Sequence, residues 1–385
     1  MNLPKHPLPP RREALPRTWP ALALTALVPL LLHADGAAGP PPDPGLTAVP
    51  RILVGHAEMA GRPTGCTVVR LAAAPGKKPA AVAGVDVRGG APGSRETELL
   101  APHNLVEEVH ALTLAGGSAF GLDAASGTMR WLEQQGIGFD VGVAKVPIVP
   151  AAILFDLPVG GQPAIRPDAD CGYRAAAAAS AGPVGEGNVG AGAGATLGKL
   201  RGLEHAMKGA IGSASFRLEK GPGAGLVVAA LVALNAFGDV VDPATGQVVA
   251  GVRDDQGRLA DARRLLRGLD PQNAFRSGGD PAGRNTTLAI VATNARLTKA
   301  QAQKIAQMAQ DGIARAVSPA HTPYDGDTVF VLATGDLETP PDLLRLGALA
   351  ADVTAESILR ATRAARGLPG LPARRDLEGG GEKIP

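Results

Sequence analysis

The feature that most constrains the fold of this chain is a long apolar run over residues 223–241, which predicts a fully buried strand. A second apolar run begins at Leu288, directly after the polar residues Asn285-Thr286-Thr287, and predicts another strand. The core must be packed from small side chains, because the 385 residues include 51 glycines and long alanine-rich runs but only 3% aromatic residues. At this length the chain can bury a sizeable core.

Short strands and small-residue helices alternate along the chain without an internal repeat. One predicted helix starts with Ser118 as its cap, runs to about Glu133 and stops at Gly136. Another is capped at Thr298 and follows the apolar strand that leads from Thr286. The predicted strands cover residues 52–55, 66–71, 80–87, 286–293 and 328–333.

The N-terminal residues 1–38 have the plan of an export signal, in which basic residues precede an apolar run and small residues follow it. The apolar run, residues 21–32, is shorter than the ~20 residues that a membrane span needs, so we expect cleavage and no stable membrane span. The mature protein is then periplasmic or secreted. A start codon assigned too early would instead leave it in the cytoplasm.

The rest of the chain shows no composition break that would mark a domain boundary. A proline-rich linker over 39–45 precedes a single predicted catalytic domain over 46–362. The tail, 363–385, is predicted to be disordered, since it is rich in proline, glycine and charge from Gly367 on.

Charge and cysteine content exclude several functions. A formal charge of +2, from 38 basic and 36 acidic residues, gives no field of the kind that captures nucleic acid, so no nucleic-acid partner is expected. Two cysteines, Cys66 and Cys171, are too few for a disulfide framework, and the seven histidines show no ligand spacing. We expect neither a metal nor another cofactor.

Two glycine-rich motifs do not match the chemistry they suggest. In Gly116-Gly117-Ser118-Ala119-Phe120-Gly121, Phe120 occupies the second glycine position of a nucleophile elbow, which favours Ser118 as a helix cap. The segment 190–199 ends in Gly198-Lys199 and misses the spacing of a phosphate-binding loop.

A threonine at the entrance of an apolar strand is a weak nucleophile unless a base stands beside it. Thr286 would gain such a base in its own α-amine, if the bond after Asn285 were cut. The polar segment before Asn285 suits a peptide bond that must be exposed for cleavage. The pattern therefore indicates a self-processing hydrolase with an N-terminal nucleophile, although such a motif by itself is more often a polar loop.

Asp325 and Asp327 form the acidic pair that adjacent strands could bring to Thr286. They lie in the turn that enters the strand at 328, and alternate residues of an extended chain share one side. On its own, Asp-Gly-Asp is typical of a turn.

Six motifs in order give the chain a specific resemblance to the β-peptidyl aminopeptidase family, the L-aminopeptidase/D-Ala-esterase group that also contains pantetheine-cleaving and nylon-oligomer hydrolases. The resemblance extends from about Leu46 to Gly335. Its motifs cover residues 83–97, 116–124, 187–192, 207–209, 285–287 and 321–328.

The resemblance implies a role for individual residues. It implies self-cleavage between Asn285 and Thr286, with Thr286 as the nucleophile, Lys208 near its hydroxyl and Asn235 as the oxyanion donor. Asp325 and Asp327 would orient the terminal amine. Substrate-binding positions would be Phe155 and Asn188, and Phe155 replaces an aromatic hydroxyl of the aminopeptidase branch, which leaves specificity for β-amino acids open.

The same resemblance implies an α+β fold, a four-layer αββα sandwich of the N-terminal-nucleophile type, and a homotetramer of αβ units. The α-chain would end at residue 285 and the β-chain would start at residue 286. The implied reaction is hydrolysis of small amides or N-terminal peptide bonds through an acyl-enzyme. Alternatives are an acyltransferase of the ornithine acetyltransferase type, a hydrolase of ω-amino-acid oligomers or pantetheine amides, and a noncatalytic binding protein.

Overall fold

The computed structural model describes residues 43–270 and 285–378. The predicted export signal, residues 39–42 of the predicted linker and the last residues of the predicted tail lie outside the described residues. In the described part, no helix is long and apolar enough to cross a bilayer.

The described strands are short in the first half of the chain and longer near its end. They are β1 (Ile52–Glu58), β2 (Gly65–Leu71), β3 (Ala81–Val87), β4 (Ser94–Arg95), β5 (Glu108–Val109), β6 (Ala111–Ala115), β7 (Phe139–Asp140), β8 (Lys145–Val146), β9 (Ala151–Ile153), β10 (Thr196–Leu197), β11 (Met207–Lys208), β12 (Ile211–Arg217), β13 (Val227–Asn235), β14 (Asp239–Val241), β15 (Val248–Ala250), β16 (Thr286–Ala295), β17 (Val317–Ser318) and β18 (Thr328–Leu337).

The α-helices of the described residues range from one turn to six. They are α1 (Ala124–Gln134), α2 (Ala169–Ala178), α3 (Ala262–Leu266), α4 (Lys299–Ala316), α5 (Leu343–Ala364) and α6 (Arg374–Glu378). The predicted start of α4 is confirmed, because the Thr298 hydroxyl accepts from the Gln301 N–H in a full capping box.

Two sheets face each other and each carries helices on its outer side. One sheet has the strand order β1-β2-β6-β9-β4, and α1 and α2 pack on it. The other has the order β12-β13-β16-β18-β3-β5, and α4 and α5 pack on it. These four layers confirm the predicted αββα sandwich.

Strand β13 shows why its sequence is apolar at every position. Its alternate residues from Val228 to Leu234 join the core under the helices, while those from Val227 to Ala233 join the core between the sheets. A strand covered on both faces needs no polar side. The helices lie directly on the sheet: a Cβ on Gly212 of β12 would come within 2.2 Å of the Ala361 nitrogen of α5.

The central strands come from distant parts of the chain. β16 pairs with β13 on one side and in parallel with β18 on the other. β18 then pairs with β3, whose residues precede the Asn285-Thr286 bond by about two hundred positions. Residues before and after that bond are therefore interleaved in one sheet.

Three local expectations are wrong. The run over 223–241 is not one strand, since β13 ends at Asn235 and β14 begins at Asp239. The helix from Ser118 begins as a 3-10 turn without a side-chain cap, and α1 starts only at Ala124.

The predicted disorder from residue 363 is the third wrong expectation. α5 continues to Ala364, and the chain beyond it folds back onto the protein. The main-chain carbonyl of Pro372 accepts from the Lys208 N–H at 2.9 Å, and Ala373 is completely buried. A few apolar residues suffice to anchor this segment although its composition is polar.

Candidate active site

Thr286 lies at the end of the sandwich where β13 finishes and β16 begins. It faces Asn235 directly in the antiparallel register. Because strand residues alternate, Thr286 shares the side of Leu288 and Ile290, which point into the space between the sheets. Thr286 is only 2% exposed, so its hydroxyl lies in a nearly dry environment.

The carbonyl of Asn285 is held by hydrogen bonds from both sides. The Gly326 N–H donates to it at 2.8 Å, and the Thr286 hydroxyl also contacts the same oxygen. Asn285 and Asp325 form a parallel bridge that leads into the β16–β18 pairing. The peptide bond between Asn285 and Thr286 therefore has its carbonyl polarised by a fixed backbone donor, with a hydroxyl beside it.

Gly326 is required at its position by space. A Cβ built there would lie 2.8 Å from the Thr286 Oγ1 and 2.9 Å from the Ala91 carbonyl oxygen. Both distances are too short for a carbon in van der Waals contact. The absence of a side chain thus leaves the hydroxyl room beside the carbonyl.

The two aspartates lie beside Thr286 and Thr287, and both are nearly fully buried. Asp327 Oδ1 accepts from the Thr287 N–H at 2.6 Å. Asp325 Oδ2 accepts from the Thr322 N–H at 2.9 Å, and its Oδ1 from the Phe237 N–H at 3.4 Å. Burial, reinforced by the charge of Asp327, raises the pKa of Asp325 to about 6.

Asn235 connects the nucleophile strand to a lysine that the sequence analysis did not select. Its side-chain Oδ1 accepts from the Thr196 N–H at 2.9 Å and from Lys199 Nζ at 3.0 Å. Lys199 Nζ also donates to the Asn235 main-chain carbonyl at 2.9 Å. The Asn235 Nδ2 donates to the Phe155 carbonyl at 3.3 Å, which brings the backbone of Phe155 to the site.

Lys199 supplies positive charge near the carboxylates. Burial lowers its pKa to about 7, although Asp325, Asp156 and Asp327 act in the opposite direction. In the sequence, Lys199 drew attention only as the last residue of segment 190–199, whose spacing does not match that of a phosphate-binding loop. The usable signal was a lysine that follows a glycine- and alanine-rich segment by a few residues, since a charged side chain in such a segment must find polar partners within the fold.

Lys208 has main-chain carbonyls as its hydrogen-bond partners. Within the described residues its Nζ donates to the carbonyls of Gly192, Ala195 and Gly209, at 2.9, 3.0 and 2.5 Å, and not to Thr286. Burial lowers its pKa to about 7. The pairing of β10 with β11 places Lys208 beside these main-chain oxygens, and its position near the Thr286 hydroxyl stays a prediction.

Asn188 also has a structural partner. Its Nδ2 donates to the Arg366 carbonyl at 2.8 Å, and its Oδ1 accepts from the Arg366 N–H at 3.1 Å. This reciprocal pair fastens the residues after α5. Its amide is therefore engaged with the residues after α5, and its role in substrate binding stays a prediction.

A strand-initial threonine, facing an asparagine and flanked by buried carboxylates in an αββα sandwich, defines a hydrolase of the N-terminal-nucleophile fold class. The chain belongs to Peptidase family S58, whose family model matches residues 45–375. This confirms the resemblance, the fold class and the assignment to the aminopeptidase and amidohydrolase group.

Individual relatives agree with the family. An uncharacterized aminopeptidase of Mycobacterium bovis is 42% identical over 362 residues, which cover 86% of this chain and 97% of the relative. A 6-aminohexanoate-oligomer endohydrolase of Kocuria sp. is 31% identical over 327 residues, which cover 82% of this chain and 84% of the relative. Among solved structures, the L-aminopeptidase D-Ala-esterase/amidase of Ochrobactrum anthropi, described as a variant of the Ntn hydrolase fold, has a TM-score of 0.62 at 20% identity and covers 87% of this chain and 92% of its own.

Proposed function

We propose that the chain cuts itself between Asn285 and Thr286, and that the new N-terminal Thr286 then hydrolyses small amides or N-terminal peptide bonds. The observation that carries this proposal is the polarised Asn285 carbonyl, which accepts from the Gly326 N–H while the Thr286 hydroxyl lies against it.

In the self-cleavage step, Thr286 Oγ attacks the Asn285 carbonyl carbon and the C–N bond breaks. The hydroxyl proton ends on the departing Thr286 nitrogen, and an ester joins Asn285 to Thr286. Water then hydrolyses the ester, which leaves the Asn285 carboxylate and restores the hydroxyl. The Gly326 N–H stabilises the negative charge that develops on the Asn285 oxygen, a contact that contributes roughly 2.7 to 4 kcal/mol in comparable sites.

In each later turnover the free α-amine of Thr286 accepts the proton of its own hydroxyl. An α-amine has a reference pKa of about 7.7 to 8.0, so a substantial fraction is the free base near neutral pH. Asp327 holds the start of β16 through the Thr287 N–H, and Asp325 lies across the bridge from Asn285. Lys199, hydrogen-bonded to Asn235, adds positive potential for the oxyanion of the substrate.

For the substrate, the aminopeptidase name of the 42% identical relative favours an unblocked N-terminal residue. The name of the Kocuria enzyme supports ω-amino-acid oligomers as the second candidate. Parallel assays with amino-acid amides and with 6-aminohexanoate oligomers separate these two. Transfer of a labelled acyl group to glutamate would instead identify the acyltransferase.

Intact-mass analysis tests self-cleavage. Wild type and Thr286→Ser should each give two fragments that meet between residues 285 and 286, while Thr286→Val, which has the shape of threonine without the hydroxyl, should stay one chain. Thr287→Val removes the neighbouring hydroxyl and should still be cut. A single uncut chain from wild type would refute the proposal and favour the binding-protein alternative.

Export and assembly remain proposals as well. We propose a periplasmic or secreted protein that forms a homotetramer of αβ units. An N-terminus beyond about residue 38 in protein recovered from the periplasm would support export, and a full-length cytoplasmic product would contradict it. Light scattering of the processed protein measures the assembly.

A further inference from the structure

His321 contacts the carboxylate of Asp327, which accepts a hydrogen bond from the backbone of β16. Its ring Nδ1 lies 2.9 Å from Asp327 Oδ2, and its main-chain N–H donates to the same oxygen at 3.0 Å. The other oxygen, Oδ1, accepts from the Thr287 N–H at 2.6 Å. Both oxygens of Asp327 are therefore fixed, one by His321 and one by the residue after Thr286.

Few charged groups compete for the His321 ring. Asp327 is 1% exposed, which makes each hydrogen bond to it strong, because water cannot replace a lost donor. The guanidinium of Arg88, at the end of β3, and the main chain of Gln310 on α4 also face the ring. Burial acts to lower the pKa of His321, but the hydrogen bond and charge of Asp327 outweigh it and raise the pKa.

The backbone of His321 is unusual in a way that allows a clean test. Its φ is +55°, in the left-handed region that asparagine and glycine occupy more readily than other residues. An asparagine side chain carries an amide N–H close to where Nδ1 lies in histidine. Asparagine and glycine thus both fit the backbone here, but only asparagine retains the donor.

We propose that His321 is a positioning residue: its Nδ1–H holds the Asp327 carboxylate so that Oδ1 stays on the Thr287 N–H and keeps the Thr286 hydroxyl against the Asn285 carbonyl. The inference rests on the proposed self-cleavage. It assigns His321 a role that its loop conformation alone does not require.

The test compares His321→Asn with His321→Gly in the full chain, following the two fragments over time during cell-free synthesis. We expect His321→Asn to be cut at nearly the wild-type rate, and His321→Gly to be cut about 10-fold to 100-fold more slowly, as for the loss of a donor to a buried charge. In processed enzyme, His321→Gly should lower kcat more than it raises KM. Imidazole added to the buffer should recover part of the rate of His321→Gly. In His321→Asn, the pH dependence that comes from the imidazole should disappear.

Several outcomes would overturn the inference. Cleavage of His321→Gly at the wild-type rate with an unchanged pH profile would show that only the backbone conformation matters, and equal slowing of both variants would exclude the donor role. Circular dichroism checks that both variants fold. If His321→Gly folds poorly, His321→Asn decides alone: cleavage of His321→Asn that is slower than wild type by 10-fold or more would contradict the inference. An uncut wild type would refute the proposed self-cleavage instead.

Discussion

Lys199 and Lys208 are nine positions apart in the sequence; Lys199 is half-buried and Lys208 fully buried, and desolvation lowers the pKa of each to about 7. Their partners differ. Lys208 donates to three main-chain carbonyls, whereas Lys199 donates to Asn235 and lies in the field of Asp325 and Asp327. A lowered pKa alone therefore does not separate the two lysines, whereas their hydrogen-bond partners do.

The comparison is tested most severely by Lys208→Met. Methionine fills most of the volume but leaves three buried carbonyls without their donor, at a cost of about 1 to 3 kcal/mol each. We expect a large fall in the free energy of unfolding, or failure to fold at 37 °C. Urea denaturation in the uncut Thr286→Val background measures it, and Lys208→Arg is the control that retains donors. A stable Lys208→Met with abolished cleavage would reverse the roles of the two lysines.

Lys199→Met should have the complementary effect. Methionine has no charge, so the Asn235 amide loses the cation that is hydrogen-bonded to it. We therefore expect substrate turnover to fall about 100-fold, as for the loss of one oxyanion donor. The melting temperature should change less than in Lys208→Met. Steady-state kinetics and a thermal melt of the same sample give both numbers. Unchanged turnover would remove Lys199 from the site.

A third expected effect is a pH dependence of stability that the two lysines share. Each has a folded pKa of about 7 and an unfolded value near 10.5, so between these values the unfolded chain binds more protons. The free energy of unfolding should therefore rise with pH from 7 to about 8.5, by at most about 1.4 kcal/mol per pH unit for each lysine. Asp325, with a pKa of about 6, has largely ionised by then, whereas Asp239, with a pKa of about 7, is half ionised at pH 7 and reduces the slope at that end of the range.

Urea denaturation of Thr286→Val at pH 7, 7.5, 8 and 8.5 checks this slope. Lys199→Met in the same background should lower the slope while leaving the contribution of Lys208. A flat profile would show that neither lysine is desolvated enough for its pKa to shift.

The sequence predicted the parts of the fold that depend on local pattern. Thr298 caps α4 as expected, because a capping box needs only residues three apart. Thr286, Asn235 and the aspartates come together as the resemblance implied. The contact of Lys199 with Asn235 was beyond the sequence, since it depends on how residues 190–200 fold over a strand that lies far from them in the chain. The order of residues 365–378 was missed for the same reason, because Ala373 is buried by parts of the chain far from it.

The interleaving of β3, β13, β16 and β18 affects how the protein would unfold and refold after the proposed cut. The two fragments would remain paired through full-length strand ladders, so a native column would show one species where a denaturing gel shows two. Once denatured, however, the fragments would have to find each other in solution, and refolding would depend on protein concentration. Maturation would thereby turn a protein that refolds on its own into one whose lifetime is set by its unfolding rate.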